Sequence, residues 1–286
     1  MKELTDLLKK EKALTLTGFL GLVLGGLCQS YILLFGAQVG LEGDLAKAVS
    51  FNIALGIFLL TTAIIVSFAN FSHKAKMIFR CFYIITALYS YGIETIQHFR
   101  GIDPRFTQVG SPLDGIFGLL FGLVSIAMIV FYVILAMQFF RKDSMKTERS
   151  RVILGVRYGM FSTMLAFAAG IWIITIQSRF IGESGNIIWL HGLGFHGLQL
   201  VPLIAWLLEK QSRFIGMRMI HLSGLSWSFF IILIALQTML GRTIFEMSYI
   251  MIGTVIFFVI SIGILAIVIY TVLKDRNIKT SISQNV

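Results

Sequence analysis

Long apolar runs recur along this chain between short charged connections, and they set the expected architecture. Eight of them read as membrane-crossing helices: Ala13 to Leu34, Ser50 to Asn70, Met77 to His98, Leu113 to Phe140, Ile153 to Ile176, Ile187 to Leu208, Met219 to Gly241 and Met247 to Leu273. A helix crosses the hydrocarbon core with about 20 apolar residues, whereas a barrel strand needs about 10 with an alternating pattern. These runs are too long for strands and lack period two, so the fold class is all-α, a polytopic transmembrane helical bundle.

Composition agrees. The chain is 57% hydrophobic and 13% charged, with a mean hydropathy of +0.86, far from the roughly 25% charge of globular domains. Its 286 residues leave no room for a separate soluble domain beside eight spans, so residues 1–286 form a single integral membrane domain. Acidic Glu3, Asp6 and Glu11 flank the first run, which also lacks a small-residue cleavage site. It therefore reads as a span rather than a secretory signal. Cys28 and Cys81 fall at opposite depths and read as two inert thiols.

Lys and Arg fix the orientation. One set of connections holds eighteen: Lys2, Lys9, Lys10 and Lys12; Lys74, Lys76 and Arg80; Arg141, Lys142, Lys146, Arg149 and Arg151; Lys210, Arg213 and Arg218; Lys274, Arg276 and Lys279. The opposite set holds five: Lys47, Arg100, Arg105, Arg179 and Arg242. By the positive-inside rule both termini are cytoplasmic. The net charge of +10 is thereby explained by topology and by anionic headgroups, and no nucleic-acid partner is implied.

The charged connection from Arg141 to Arg151 divides the chain into two sets of four spans, residues 1–142 and 143–286, as a parallel duplication would. Ile96-Gln97-x-Phe99-x-Gly101 echoes Leu236-Gln237-x-Met239-x-Gly241. Gly21 with Gly25, and Gly118 with Gly122, have the spacing that lets helix backbones approach closely.

Candidate chemistry lies toward the outer ends of the third and sixth spans. The stretch Trp189 to Glu209 is apolar enough to cross a bilayer yet carries His191, His196, Gln199 and Pro202, with Gly192, Gly194 and Gly197 around the histidines. An ionisable group inside a span is a functional-site hypothesis by default. His191 is expected roughly 6 Å below the outer end and His196 roughly 13 Å below it, near mid-membrane, the two about 140° apart around the helix. In the third span Tyr91, Glu94 and His98 share one stripe. Buried Glu94 is expected to be protonated, paired with His98, Arg100 or His191, or open to a water-filled cavity. The candidate metal ligands are His98, His191 and His196; the candidate cofactor-binding residues are Glu94, Gln97, Arg100 and Gln199. No H-E-x-x-H pair is present, which argues against a zincin-type site.

Glu94-Thr95, Arg100-Gly101, Phe106, Pro112 and Asp114, together with Gly185-Asn186 and His191-x-x-Gly194-x-His196-x-Leu198-Gln199-x-x-Pro202, carry a resemblance. This pattern resembles a set of uncharacterised bacterial multipass membrane proteins with an E-T…R-G…F…P-x-D segment and an H-x-x-G-x-H-x-L-Q-x-x-P helix. The resemblance implies a bacterial cytoplasmic membrane but no reaction. Ile188 stands where it would place an arginine, three residues before the first histidine. Eight spans, two halves and outward histidines are also similar to haem A synthase, without the paired histidines of each half. Three functions follow as expectations: a site for haem or a metal ion, a proton-coupled transporter or membrane sensor for a small polar solute, and a non-catalytic membrane partner. The expected partners are the lipid bilayer and a small-molecule or ion ligand.

Overall fold

A computed structural model describes residues 2–146, 149–210 and 213–284, and among them nine α-helices. These are α1 (Lys2–Lys10), α2 (Lys12–Phe35), α3 (Leu45–Val66), α4 (His73–Phe99), α5 (Pro112–Phe140), α6 (Ser150–Ile176), α7 (Ile187–Leu207), α8 (Arg213–Met239) and α9 (Tyr249–Gln284). Seven of them, all except α1 and α4, contain a stretch long and apolar enough to cross a membrane. The chain is a multipass helical membrane protein. α4 has the length, 27 residues, but is too polar for the same test. The side chains of Lys2, Lys142, Lys210, Arg213, Arg276 and Lys279, used in the charge pattern, lie outside the described residues.

Six of the eight expected runs match their helices to within a few residues at the N-terminal end, while α3 begins five residues and α8 six residues earlier than hydropathy suggests. For α3 the reason is a local cap: the Asp44 side chain accepts the Ala46 N–H at 3.0 Å and starts the helix before its apolar run. α1 lies before the first expected run. Just after it, Glu11 is buried and forms ion pairs with Lys76 at 2.6 Å and Arg80 at 2.8 Å, which tie the N-terminal segment to the start of α4.

The chain divides into two compact units, Met1–Gln138 and Phe139–Val286. In the first, α2 packs on α3 through Gly18, Gly21 and Gly25. A Cβ at Gly18 would lie 3.0 Å from the Gly56 carbonyl oxygen, and one at Gly25 2.5 Å from the Ile53 side chain. The glycine pair expected on α5 behaves differently: Gly118 faces the carbonyl of Arg105 and Gly122 faces open space. The other end of this unit is filled by Phe58, Phe79, Tyr83 and Tyr132, with the Tyr83 hydroxyl donating to the Met128 carbonyl at 2.6 Å. In the second unit α6 and α7 approach through Gly155, Gly159, Gly194 and Gly197. Ser162 donates to the Gly194 carbonyl at 2.6 Å and accepts from the Trp227 indole at 3.1 Å.

Each unit contains the same clasp. A two-residue-strand hairpin, β1 (Gln38–Val39) with β2 (Gly43–Asp44), joins α2 to α3; β3 (Phe180–Ile181) with β4 (Gly185–Asn186) joins α6 to α7. The hairpin turns hold Gly40 at φ 60° and Gly182 at φ 59°. The ends of α4 and α8 turn through Gly101 at φ 77° and Gly241 at φ 70°, the left-handed conformation that glycine adopts without a steric penalty. Glu42 N–H donates to the Gly101 carbonyl at 3.1 Å, and Ser184 N–H to the Gly241 carbonyl at 3.0 Å. Hairpin glycine and helix-end glycine pack backbone to backbone in both units.

A Cβ at Gly101 would be strained by the positive φ and would lie 3.1 Å from the Gly40 Cα. Gly101→Ala is expected to destabilise the protein by more than about 1 kcal/mol. Gly26→Ala, in α2 with nothing within 4 Å, should be neutral or stabilising. Thermal unfolding of both variants in detergent checks the pair.

Candidate functional site

α4 is amphipathic in the reverse sense of a soluble helix. Ile85, Leu88, Ile96 and Phe99 are exposed, while Tyr91, Glu94, Gln97 and His98 are buried. α4 thus turns its polar stripe into the protein and its apolar side chains outward.

Glu94 is fully buried at the centre of that stripe. Its Oε1 accepts from the Arg105 guanidinium at 2.6 Å and lies 3.5 Å from His98 Nε2. The other ring nitrogen of His98, Nδ1, accepts the Asp44 backbone N–H at 3.1 Å. An acceptor nitrogen carries no proton, so the neutral ring must hold its proton on Nε2, facing the carboxylate. The hairpin that caps α3 thus also fixes the histidine tautomer.

Arg105 reaches this carboxylate from the loop after α4, and its Cζ lies 5.4 Å from the ring centres of both Phe51 and Phe121. The loop is held in place from two sides. Asp103 Oδ1 accepts the N–H groups of Arg105 and Phe106, each at 3.0 Å, while its Oδ2 faces Lys47 at 3.5 Å. The Glu42 carboxylate accepts the Thr107 hydroxyl at 2.5 Å and the N–H groups of Gln108 at 2.6 Å and Asp103 at 3.2 Å. Beside it, Asp114 Oδ1 accepts from Gln97 at 2.9 Å and from Arg100 at 2.6 Å, locking the end of α4 to the first turn of α5.

Several buried polar atoms around this pair make no hydrogen bond among the described residues: Glu94 Oε2, His98 Nε2, Arg105 Nε, the Tyr91 hydroxyl and Asn52 Oδ1. Asn52 uses its Nδ2 on the Thr95 hydroxyl at 2.9 Å, so it stands against α4 one turn from Tyr91. Gly21 of α2 backs the same place, where a Cβ would collide with the Tyr91 hydroxyl and lie 2.7 Å from the Asn52 carbonyl oxygen. Buried polar groups are ordinarily satisfied, and an orphaned group costs about 1–3 kcal/mol. Three of them lie on the Tyr91–Glu94–His98 stripe of α4, and Asn52 and Arg105 come to it from α3 and from the following loop.

No family model, curated protein or solved structure matches this chain. Its chemistry has to be read from the site alone.

Of the residues singled out by sequence, Glu94, Gln97, His98 and Arg100 come together in the first unit. Glu94 takes Arg105 and His98 as partners, and Arg100 goes to Asp114 instead. His191, His196 and Gln199 lie on α7 of the second unit. His191 is half-buried, with Nδ1 2.8 Å from the Ala166 carbonyl and Gly170 leaving room for its ring. His196 is exposed on the surface of α7. Gly194 and Gly197 do not clear space for it, because they face Ala166 and Ser162 of α6. Among the described residues no three His, Cys, Asp or Glu side chains converge to hold a metal ion.

The clasp also aligns the two units residue by residue. Gln97 and Gln237 match in their clasps, since each carbonyl accepts an N–H from just beyond the glycine turn, Ile102 and Arg242 respectively. Each side chain bonds the start of the next helix, Gln97 to Asp114 and Gln237 to Ser248. Counting back from them, Glu94 and His98 correspond to Ile234 and Thr238. The buried acid and imidazole are therefore particular to the first unit. Sequence reading passed over Arg105, Phe51 and Phe121. The available signal was a surplus: a buried Glu94 requires a cation, and Arg105 is the second arginine in the connection that follows it.

The clasp should respond to pH. Desolvation pushes the Glu42 carboxyl up, but its bonds from Thr107, Gln108 and Asp103 outweigh this and leave it below the ordinary carboxylate value. Asp103 follows the same course, its desolvation outweighed by the N–H groups of Arg105 and Phe106 and the charges of Lys47 and Arg105. Depressed carboxyls stabilise the fold above their unfolded pKa of about 4, and the contribution is lost as pH falls through the folded values. Glu42→Gln at neutral pH should therefore raise amide exchange across residues 103–108 by about fivefold, the equivalent of one net hydrogen bond. Wild-type protein should lose the same protection on acidification, as measured by hydrogen exchange.

Proposed function

We propose that this chain is an eight-span protein of the bacterial cytoplasmic membrane, with both termini in the cytoplasm. In this reading it is a proton-coupled transporter or sensor for a small polar solute, and Glu94 is the proton-exchanging group. The observation that carries it is a fully buried carboxylate, held by one arginine and one histidine and surrounded by polar atoms without partners. The bacterial membrane follows from the resemblance in the Glu94-Thr95 and His191-to-Pro202 segments.

α4 serves as the eighth span because its polarity is directed inward. Its lipid-facing residues are apolar, and its buried charges are paired within the unit, so its average hydropathy understates its fitness for a bilayer. With α4 crossing, the basic connections all fall on one side, and the end of the first unit that bears the hairpin faces outward. Glu94 then lies about one turn below that end.

Protonation of Glu94 removes the negative charge that holds Arg105, whose side chain is 32% exposed and open to exchange this partner for water. Uptake of a proton and release of the arginine are thus linked. The geometry favours this chemistry over haem ligation. His98 has its Nδ1 engaged by Asp44 and its Nε2 directed at Glu94, and Thr238 occupies the matching position in the other unit.

Infrared difference spectra of the purified full-length protein should show a carboxylic-acid band that grows on acidification and is missing in Glu94→Gln. A spectrum unchanged by that substitution would remove Glu94 from the proton chemistry. Reporter fusions should place both termini and the loop at Lys74 in the cytoplasm and residue 40 outside. A reporter at Lys74 on the outer side would rule out α4 as a span.

A further inference from the structure

Resting on that reading, we infer that the solute is a small organic cation of the guanidinium or alkylammonium class, and that Arg105 is its tethered stand-in. The cage around the Arg105 head group has the parts that bind such ions. Two aromatic rings, Phe51 and Phe121, lie 5.4 Å from Cζ, and a buried carboxylate accepts at 2.6 Å. A ring face attracts a cation through its quadrupole and strips little solvation from a weakly hydrated guanidinium or alkylammonium. A metal cation asks for a shell of oxygens instead.

The arginine does not exhaust the cage. Glu94 Oε2, Asn52 Oδ1 and the Tyr91 hydroxyl are buried acceptors left unbonded around the same stripe. All three can take N–H donors, which is what a cation entering beyond the reach of the tethered side chain would bring. Charge around the mouth points the same way. On a chain of net charge +10, the segments that form this end carry five acids, Glu42, Asp44, Glu94, Asp103 and Asp114, against three bases, Lys47, Arg100 and Arg105. A locally negative mouth on a positive protein concentrates cations and repels anions.

A tethered occupant lowers apparent affinity by the fraction of time it fills the cage, so removing it should tighten binding. Full-length protein in detergent at pH 8 is titrated calorimetrically with methylguanidinium, methylammonium, potassium and acetate salts. Arg105→Ala should bind methylguanidinium or methylammonium at least about tenfold more tightly than wild type. The stronger of the two identifies the head group, and potassium and acetate should show no saturable binding. Adding Glu94→Gln to Arg105→Ala should abolish the gain.

A monodisperse Arg105→Ala protein that binds neither organic cation, binds them equally well without Glu94, or prefers acetate would overturn the inference. If Arg105→Ala cannot be purified, Phe51→Leu in the otherwise wild-type chain replaces it. That change should weaken methylguanidinium binding severalfold, and unchanged binding would be fatal to the cage. Failure of cation binding while the Glu94 infrared band still titrates discards the ligand class alone; loss of the band discards the proton site as well.

Discussion

The buried carboxylate of Glu94 organises the end of the first unit that bears the hairpin. A carboxylate cannot stay ionised in a low-dielectric interior without a partner, because its desolvation outweighs what apolar neighbours return. Glu94 obtains that partner from a loop rather than from another helix. Everything that fixes the loop then becomes part of the site: the Asp103 turn, the three bonds to Glu42, and the aromatic pair beside the guanidinium. The arginine would otherwise sample many rotamers, and the surrounding bonds reduce the entropy lost on pairing.

The apolar pattern made the helices legible, since each of the eight long runs became a helix. α4 was legible for a different reason, as its polar residues recur at helical spacing on one stripe and its apolar ones on the other. The hairpins were not legible. Gln38 to Asp44 and Phe180 to Asn186 are too short to show a periodic signal, and their register depends on glycines whose partners are some sixty residues away. The same holds for Arg105, because which arginine meets a buried acid is decided by the path of a loop, not by distance along the chain. His196 shows the opposite failure. Glycines at helical spacing beside a histidine look like a cleared pocket, but a second helix had the stronger claim on that space.

The two clasps show how much of a fold can be kept while its chemistry changes. Gly40 and Gly101 in one unit, and Gly182 and Gly241 in the other, leave no space for side chains and so permit little substitution. The positions about one and two turns before the helix-end glycines carry no such constraint. One unit has Glu94 and His98 there, the other Ile234 and Thr238, all four buried. Backbone contact preserves the frame, and the side chains inside it are free to diverge.

The bond from the Asp44 N–H to His98 Nδ1 joins a mechanical element to a chemical one. The hairpin is rigid at its glycine contact, yet the amide it offers to the imidazole decides which ring nitrogen keeps the proton. Without that amide either ring nitrogen could keep the proton, and the imidazole would no longer be committed to presenting an N–H to the carboxylate 3.5 Å away on its other side.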